Sequence, residues 1–274
     1  MKNFVIIDRE ICIGCGACVK DCLSKIIRVE EEVAVIEDFT DCIKCGHCGA
    51  SCPVDAIRYD DPEYDMNIES FSKDHDLVTF RELDYLIKMK RSCRQYHQKE
   101  VESDKLESLL RIGQISPTGG NRQPLKFVVV NGFEKVEALK LMAMETLYDV
   151  GQKSEGRYAR VFTSILDNYK KTGYDRLFYN APLVIVIYGD PSISQTMAVD
   201  GGIAAGQMTL IGETLGLGSC YIGYLKTAAD HNREICNYLG IPSNETIITN
   251  IIFGYPQTRY YRSVPREKLK VKYK

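Results

Sequence analysis

The sequence predicts a mixed helix-and-strand protein, of α/β or α+β class, divided into two modules. Three observations carry the prediction. Eight of the eleven cysteines fall between Cys12 and Cys52. An acidic stretch with little apolar periodicity, DDPEYDMNIESFSKDHD, follows over residues 60–76. Beyond it, short apolar runs that read as strands alternate with segments of helical spacing. The boundaries drawn from these are a front module over 1–62, a linker over 63–80 and a back module over 81–274.

At 274 residues, with 45% apolar and 26% charged side chains, the chain has the composition of a soluble globular protein with room for two cores. The opening MKNFVIIDREIC carries acids where a signal peptide needs an apolar run, and no stretch approaches the ~18 apolar residues of a membrane span. A cytoplasmic protein is expected, with no membrane partner. In that reducing setting clustered cysteines read as metal or iron–sulfur ligands and not as disulfides. Charge is divided: residues 1–79 hold 17 acids against 8 bases, and residues 80–274 hold 20 acids against 27 bases. The acidic front argues against nucleic-acid binding, and the back is too mildly basic for a DNA footprint.

CIGCGACVKDC (12–22) and CIKCGHCGASC (42–52) share the spacing C-x2-C-x2-C-x3-C at an offset of thirty residues. Between them KIIRVEEEVAVIED reads as two short strands around an acidic turn at Glu30 to Glu32. After Pro53, VDAIRYD reads as another. Zinc is the rival ligand, but its sites use two pairs of ligands split by a longer loop. Three thiols at three-residue steps suit three corners of a cubane, with the fourth corner supplied from further off.

Over about residues 4–60 this pattern, with its trailing proline, resembles the bacterial two-cluster ferredoxins. The resemblance implies two [4Fe–4S] clusters. Cys12, Cys15, Cys18 and Cys52 would hold the first; Cys42, Cys45, Cys48 and Cys22 would hold the second. Gly14, Gly16 and Gly46 would let backbone N–H groups approach the sulfurs. Leu23 stands where that family often has proline, a departure that touches the turn and not the ligands.

In the back module helical spacing begins at Leu83, Leu86 and Ile87 and leads into the basic KMKRSCRQY. KLESLLRIGQI (105–115) reads as a second helix, LKFVVV (125–130) as a buried strand, and 134–172 as largely helical. APLVIVIYGD (181–190) and TIITNIIFGYP (246–256) read as strands. GGIAAGQMTLIGETLGLG (201–218) reads as a helix buried on most sides, its small faces suited to close packing, across a dimer included.

Four stretches, in order, resemble the FMN-dependent nitroreductase family across about residues 82–265: RSCR (91–94), SPTGGNRQP (116–124), LGLGSCYIG (215–223) and FGYP (253–256) with basic residues after it. The resemblance implies an α+β domain with a central, mainly antiparallel sheet flanked by helices, and a homodimer binding FMN at its shared interface. Arg91, Ser92 and Arg94 would hold the phosphate, which two guanidinium forks and a hydroxyl suit chemically. Without the resemblance, R-S-x-R would read as a solvated helix end. Pro117, Thr118, Gly119 and Asn121 would lie along the flavin, with Gln123 bracing the loop. Leu125 replaces the aromatic residue often found there. Tyr221, Ile222 and Gly223 would pass behind the isoalloxazine, and Arg259 and Arg262 would give a second hold on phosphate.

GLGSCYIGY does not serve as a dinucleotide fingerprint, because Tyr221 takes the third glycine position and a helix precedes it. Cys93, Cys220 and Cys236 read as small buried hydrophobes. His47, His75, His97 and His231 form no ligand spacing. No nucleophile–base pair is found, and no catalytic side chain is assigned, because the flavin carries the chemistry.

The expected activity is therefore that of a flavin-dependent oxidoreductase passing electrons between two [4Fe–4S] clusters and FMN. From FMN they would go to a small organic acceptor of nitroaromatic, quinone or enone type. NAD(P)H-driven reduction with the clusters as secondary carriers is one alternative, making NAD(P)H or a redox protein the donor. A redox sensor or electron-transfer protein without its own substrate is another.

Overall fold

The thirty-residue repeat of the sequence is also a repeat of backbone conformation. In the computed structural model, which describes residues 4–71 and 77–274, the chain forms two units: Met1–Leu77 with Gly120–Arg122, and Val78–Gly119 with Gln123–Lys274. The predicted linker lies partly outside the described residues, as does His75.

The first unit runs β1 (Val5–Ile7), α1 (Ala17–Asp21), β2 (Ile27–Glu30), β3 (Val33–Ile36), α2 (His47–Ala50) and β4 (Ile57–Tyr59). β1 pairs antiparallel with β4, and β2 with β3. The acidic turn is tighter than read, with Glu31 and Glu32 both at positive φ between the strands. Each short helix is entered through a left-handed glycine, Gly16 at φ 72 and Gly46 at φ 76. Two residues earlier Gly14 (φ 61) and Lys44 (φ 52) repeat each other, as do Lys25 (φ 55) and Asp55 (φ 54) further on. Gly14 is required for space as well: a Cβ there would stand 2.4 Å from the Glu32 carbonyl oxygen. Phe4, Val5, Ile27, Ala34 and Ile57 bury themselves around Cys18. β1 was not foreseen, because three residues are too few to show alternation.

The second unit opens with α3 (Phe80–Met89), started by a reciprocal cap in which the Glu82 N–H donates to Thr79 Oγ1 and the Thr79 N–H to Glu82 Oε2. The helix begins three residues before its apolar spacing and takes in the last residue of the predicted linker. Next come α4 (Ser103–Gln114), a 3-10 turn (Gly119–Asn121), β5 (Lys126–Asn131), α5 (Phe133–Gln152), α6 (Arg157–Thr172), β6 (Leu183–Gly189), α7 (Met197–Thr214), β7 (Gly218–Tyr221), α8 (Gly223–His231), α9 (Arg233–Tyr238) and β8 (Thr246–Gly254).

The sheet order is β5-β6-β8-β7, antiparallel throughout. Strand alternation sends Leu183, Ile185, Ile187, Ile251 and Phe253 to one face, against Leu109 of α4 and Ala204, Ala205 and Met208 of α7. Val184, Val186 and Ile252 face the other way, into the layer of α5, α6, α8 and α9. Two helical layers around an antiparallel sheet are the α+β arrangement expected.

Two expectations are corrected. β5 is an edge strand in which only Val130 is buried, since β6 covers it on one side alone. α7 spans 197–214 and not 201–218. Gly216 at φ 75 stops it, with the Leu217 N–H donating to the Gly212 carbonyl and the Gly216 N–H to the Glu213 carbonyl. The last residue of the expected helix, Gly218, instead opens β7. Among the described residues no helix is long and apolar enough to cross a membrane.

Candidate functional site

Two cavities of the first unit divide the eight cysteines. Cys12, Cys15, Cys18 and Cys52 line one, together with Ala34 and Ala56. Cys22, Cys42, Cys45 and Cys48 line the other, with Phe4 and Ile26 in its wall. Each set takes three thiols from one run and the fourth from its repeat. A zinc ion draws its sulfurs to about 2.3 Å of one point; a four-iron cluster takes one thiolate at each of four separate irons. The donor chemistry fits the cluster.

Backbone N–H groups reach two of the sulfurs. The Ala34 N–H donates to Cys12 Sγ at 3.4 Å and the Ala56 N–H to Cys52 Sγ at 3.3 Å. Sequence reasoning also missed Tyr59. Its hydroxyl donates to the Gly46 carbonyl at 2.5 Å and accepts from the Gly49 N–H at 2.9 Å, fixing the helix that carries Cys48. Burial pushes this hydroxyl above the ordinary tyrosine range.

In the second unit three of the four expected stretches are knitted together. Ser92 forms a parallel bridge with Ser219, and the Cys93 N–H donates to the Ser219 carbonyl at 2.9 Å, so RSCR runs beside β7. Gly218 must lack a side chain, since a Cβ there would stand 2.8 Å from Cys93 Cβ. The tail after β8 joins the same segment. The His97 N–H donates to the Tyr255 carbonyl, Thr258 Oγ1 to Gln95 Oε1, and the Tyr260 hydroxyl to the Ser92 carbonyl.

Arg91 Nη2 donates to the Lys88 carbonyl at 2.7 Å, whereas its Nε is buried with no hydrogen-bond partner among the described residues. A buried donor left unpaired is costly, so an anion at this point fits. Arg94 lies 5.9 Å from the Tyr179 ring centroid. Lys90, absent from the expected set although it lies in the basic run, stands 5.7 Å from the ring centroid of Tyr221. Burial pushes Lys90 down and pushes its neighbour Glu213 up. Arg259 lies over the ring of Tyr261, and Arg262 is exposed; Tyr260 is the tail residue that reaches Ser92.

Ile222 donates its N–H to the Asn250 carbonyl at 3.2 Å and caps α8, which starts at Gly223. The first N–H groups of a helix have no intrahelical partner and carry partial positive charge. A Cβ added at Gly223 would meet no side chain of the described residues within 4 Å. Cys93, Cys220 and Cys236 are buried, as small apolar groups would be.

The fourth stretch is held elsewhere. Gln123 braces the loop through its main chain, donating its N–H to Thr118 Oγ1 at 3.0 Å. Asn121 and Gln123 adopt positive φ, 52 and 45. Pro117 is exposed and Thr118 half-buried. Gly119 is tied to α7.

The class of protein, a flavin-dependent oxidoreductase, follows from the family match. The family described as Nitroreductase family matches residues 87–255, and a 4Fe-4S dicluster domain matches residues 11–56. The chain belongs to the nitroreductase family. A protein of Archaeoglobus fulgidus, whose name pairs NADH dehydrogenase with NAD(P)H nitroreductase, is 23% identical over 176 residues, 63% of this chain and 84% of its own. The NADPH-flavin oxidoreductase of Vibrio harveyi is 24% identical over 167 residues, 61% of this chain and 62% of its own. A solved nitroreductase with bound FMN from Bacteroides fragilis superimposes with a TM-score of 0.58 at 24% identity, covering 70% of this chain and 99% of the other. At that identity the likeness carries the fold alone.

Proposed function

We propose that this chain passes electrons between two [4Fe–4S] clusters and FMN, and from FMN to a small organic acceptor of nitroaromatic, quinone or enone type. The observation that carries the reading is the buried, partnerless Nε of Arg91 beside Ser92 in a chain whose eight front cysteines fall into two sets of four. Arg91, Ser92 and Arg94 would bind the phosphate, with Arg259 and Arg262 as further cations. Pro117, Thr118, Gly119, Asn121 and Gln123 would lie along the ring, and Tyr221, Ile222 and Gly223 behind it. When bound, FMN supplies the conversion between single electrons and a hydride equivalent that no side chain can provide. The N–H groups at the start of α8 would favour negative charge at the reactive edge of the ring. The eight cysteines, taken in the two sets above, would carry the clusters.

A homodimer is part of this reading. It is supported by apolar side chains exposed on α3 (Phe80, Leu83, Ile87) and α7 (Val199, Ile203). A cytoplasmic setting is supported by eleven unpaired cysteines. The names of the Vibrio harveyi and Archaeoglobus fulgidus relatives favour one further reading, in which NADH or NADPH is the donor.

The test is the cofactor content of protein purified anaerobically. Roughly eight irons per FMN are expected from two four-iron clusters. Zinc in place of iron, or protein without flavin, would sink the proposal. Rapid mixing with NADH and NADPH then decides the donor: flavin bleaching selects the pyridine nucleotide, and inertness selects a redox protein.

A further inference from the structure

The loop from Ser116 to Pro124 carries five of the residues assigned to FMN, and beyond the Gln123 brace nothing in the sequence shows what holds it. In the structure it is stapled to α7 at two points. Ser116 Oγ donates to Gln207 Oε1 at 2.5 Å, and the Gly119 N–H donates to Asp200 Oδ1 at 3.1 Å. Asp200 and Gln207 stand seven residues apart, two turns along one face of the helix.

Asp200 is only 2% exposed. A carboxylate so far from water needs donors, and its second oxygen accepts from Ser194 Oγ and Thr196 Oγ1 at 3.3 Å each. Thr196 in turn closes on the loop, since a Cβ added to Gly119 would stand 2.2 Å from its hydroxyl oxygen. Gly119 is thus clamped between a buried carboxylate and a hydroxyl that the same carboxylate orients.

We infer that Asp200 is a positioning residue for the flavin loop, fixing Gly119, and with it Thr118, relative to the sheet, while Gln207 holds the start of the loop. The inference rests on the reading of that loop as flavin-contacting. Asparagine at position 200 keeps an oxygen for the Gly119 N–H, and the two hydroxyls can rotate to accept from its amide. Alanine leaves the Gly119 N–H without its acceptor, while the two hydroxyls, 3.0 Å apart, keep each other.

The test uses the full chain prepared anaerobically as wild type, Asp200→Ala, Asp200→Asn and Gln207→Ala. FMN affinity is measured by fluorescence titration, and hydrogen–deuterium exchange is followed at the Gly119 amide. In Asp200→Ala, FMN binding weakens about tenfold, as for one lost hydrogen bond to a charged group. Gly119 exchange accelerates while the interior of α7 keeps its protection. Asp200→Asn restores most of both, and Gln207→Ala loosens the residues around Ser116. Unchanged Gly119 exchange in Asp200→Ala would overturn the anchor even with FMN bound normally. Loss of protection along the whole of α7 would overturn it too, by showing a merely structural role. Wild-type protein that binds no FMN would instead remove the cofactor reading beneath it.

Discussion

Ser92 and Ser219 lie opposite each other in a parallel bridge, 127 positions apart in sequence, and the Cys93 N–H closes the contact on the Ser219 carbonyl at 2.9 Å. Through this bridge the arginine segment and the β7–α8 corner become one surface of the second unit. Arg91 sits at its start, held by one guanidinium nitrogen and leaving another without a partner.

Arg91 should therefore recognise the phosphate and not the ring. Arg91→Ala is expected to weaken FMN binding by about tenfold or more, the scale of a lost charge-assisted hydrogen bond. Riboflavin, which lacks the phosphate, should bind both forms alike. Paired fluorescence titrations with the two flavins check this. Equal losses for both would place Arg91 against the ring system.

The two cysteine sets predict which double replacements are equivalent. Cys12 and Cys52 line one cavity, whereas Cys22 lines the other. Cys12→Ser with Cys52→Ser should leave one cluster and roughly four irons per chain. Cys12→Ser with Cys22→Ser should damage both clusters. Iron analysis with electron paramagnetic resonance of the reduced protein separates the outcomes. The reverse pattern would mean that each run binds its own cluster.

Acid should loosen the corner that follows β8. Hydrogen bonds from Lys99 and then Tyr255 lower Glu102 to about 2, against 4.5 for a free glutamate. Lys105 Nζ donates to the Tyr255 hydroxyl at 2.8 Å. A carboxyl lowered on folding adds stability above its unfolded value, and loses it as pH falls through 4.5 towards 2. Glu102→Gln should melt below wild type at pH 7, and the gap should narrow from about pH 4.5 downwards and close only near pH 2. Thermal melts of both proteins across that range test the sign; a gap that widens in acid would contradict it.

Lys140 is the stability prediction. It is 3% exposed, bonded to Glu137 at 2.5 Å and 3.5 Å from Asp175, which is 1% exposed and accepts the N–H groups of Leu177, Phe178 and Asn180. Lys140→Ala strands a buried carboxylate and should cost about 3 kcal/mol in denaturant unfolding. A loss under 1 kcal/mol would show that the three N–H groups satisfy Asp175 alone.

What the sequence disclosed and what it hid follow from the range of the forces involved. The cysteine repeat was legible because the Cys-Gly pattern fixes a local backbone, and the Gly16 and Gly46 turns repeat as the letters do. The buried strands β6 and β8 were legible as long apolar runs. β7 and α8 were not, since GLGSCYIG carries neither period, and its strand exists only through pairing with β8. β5 looked as apolar as a central strand, and only the sheet order shows that it is an edge. Lys90, Tyr179, Tyr260 and Asp200 went unnoticed for one reason. Each gains its role from a partner distant in sequence: Tyr221, Arg94, Ser92 and Gly119.

Electron exchange between the clusters and the flavin within one chain is the step on which the proposed function depends. Anaerobic rapid mixing of the holoprotein with a reduced ferredoxin-type donor, followed at the absorbances of both chromophores, tests it most directly. The clusters should bleach first and the flavin after them, and Cys12→Ser with Cys22→Ser should abolish flavin reduction by this donor while FMN stays bound. Flavin reduction at an unchanged rate in that variant would contradict it.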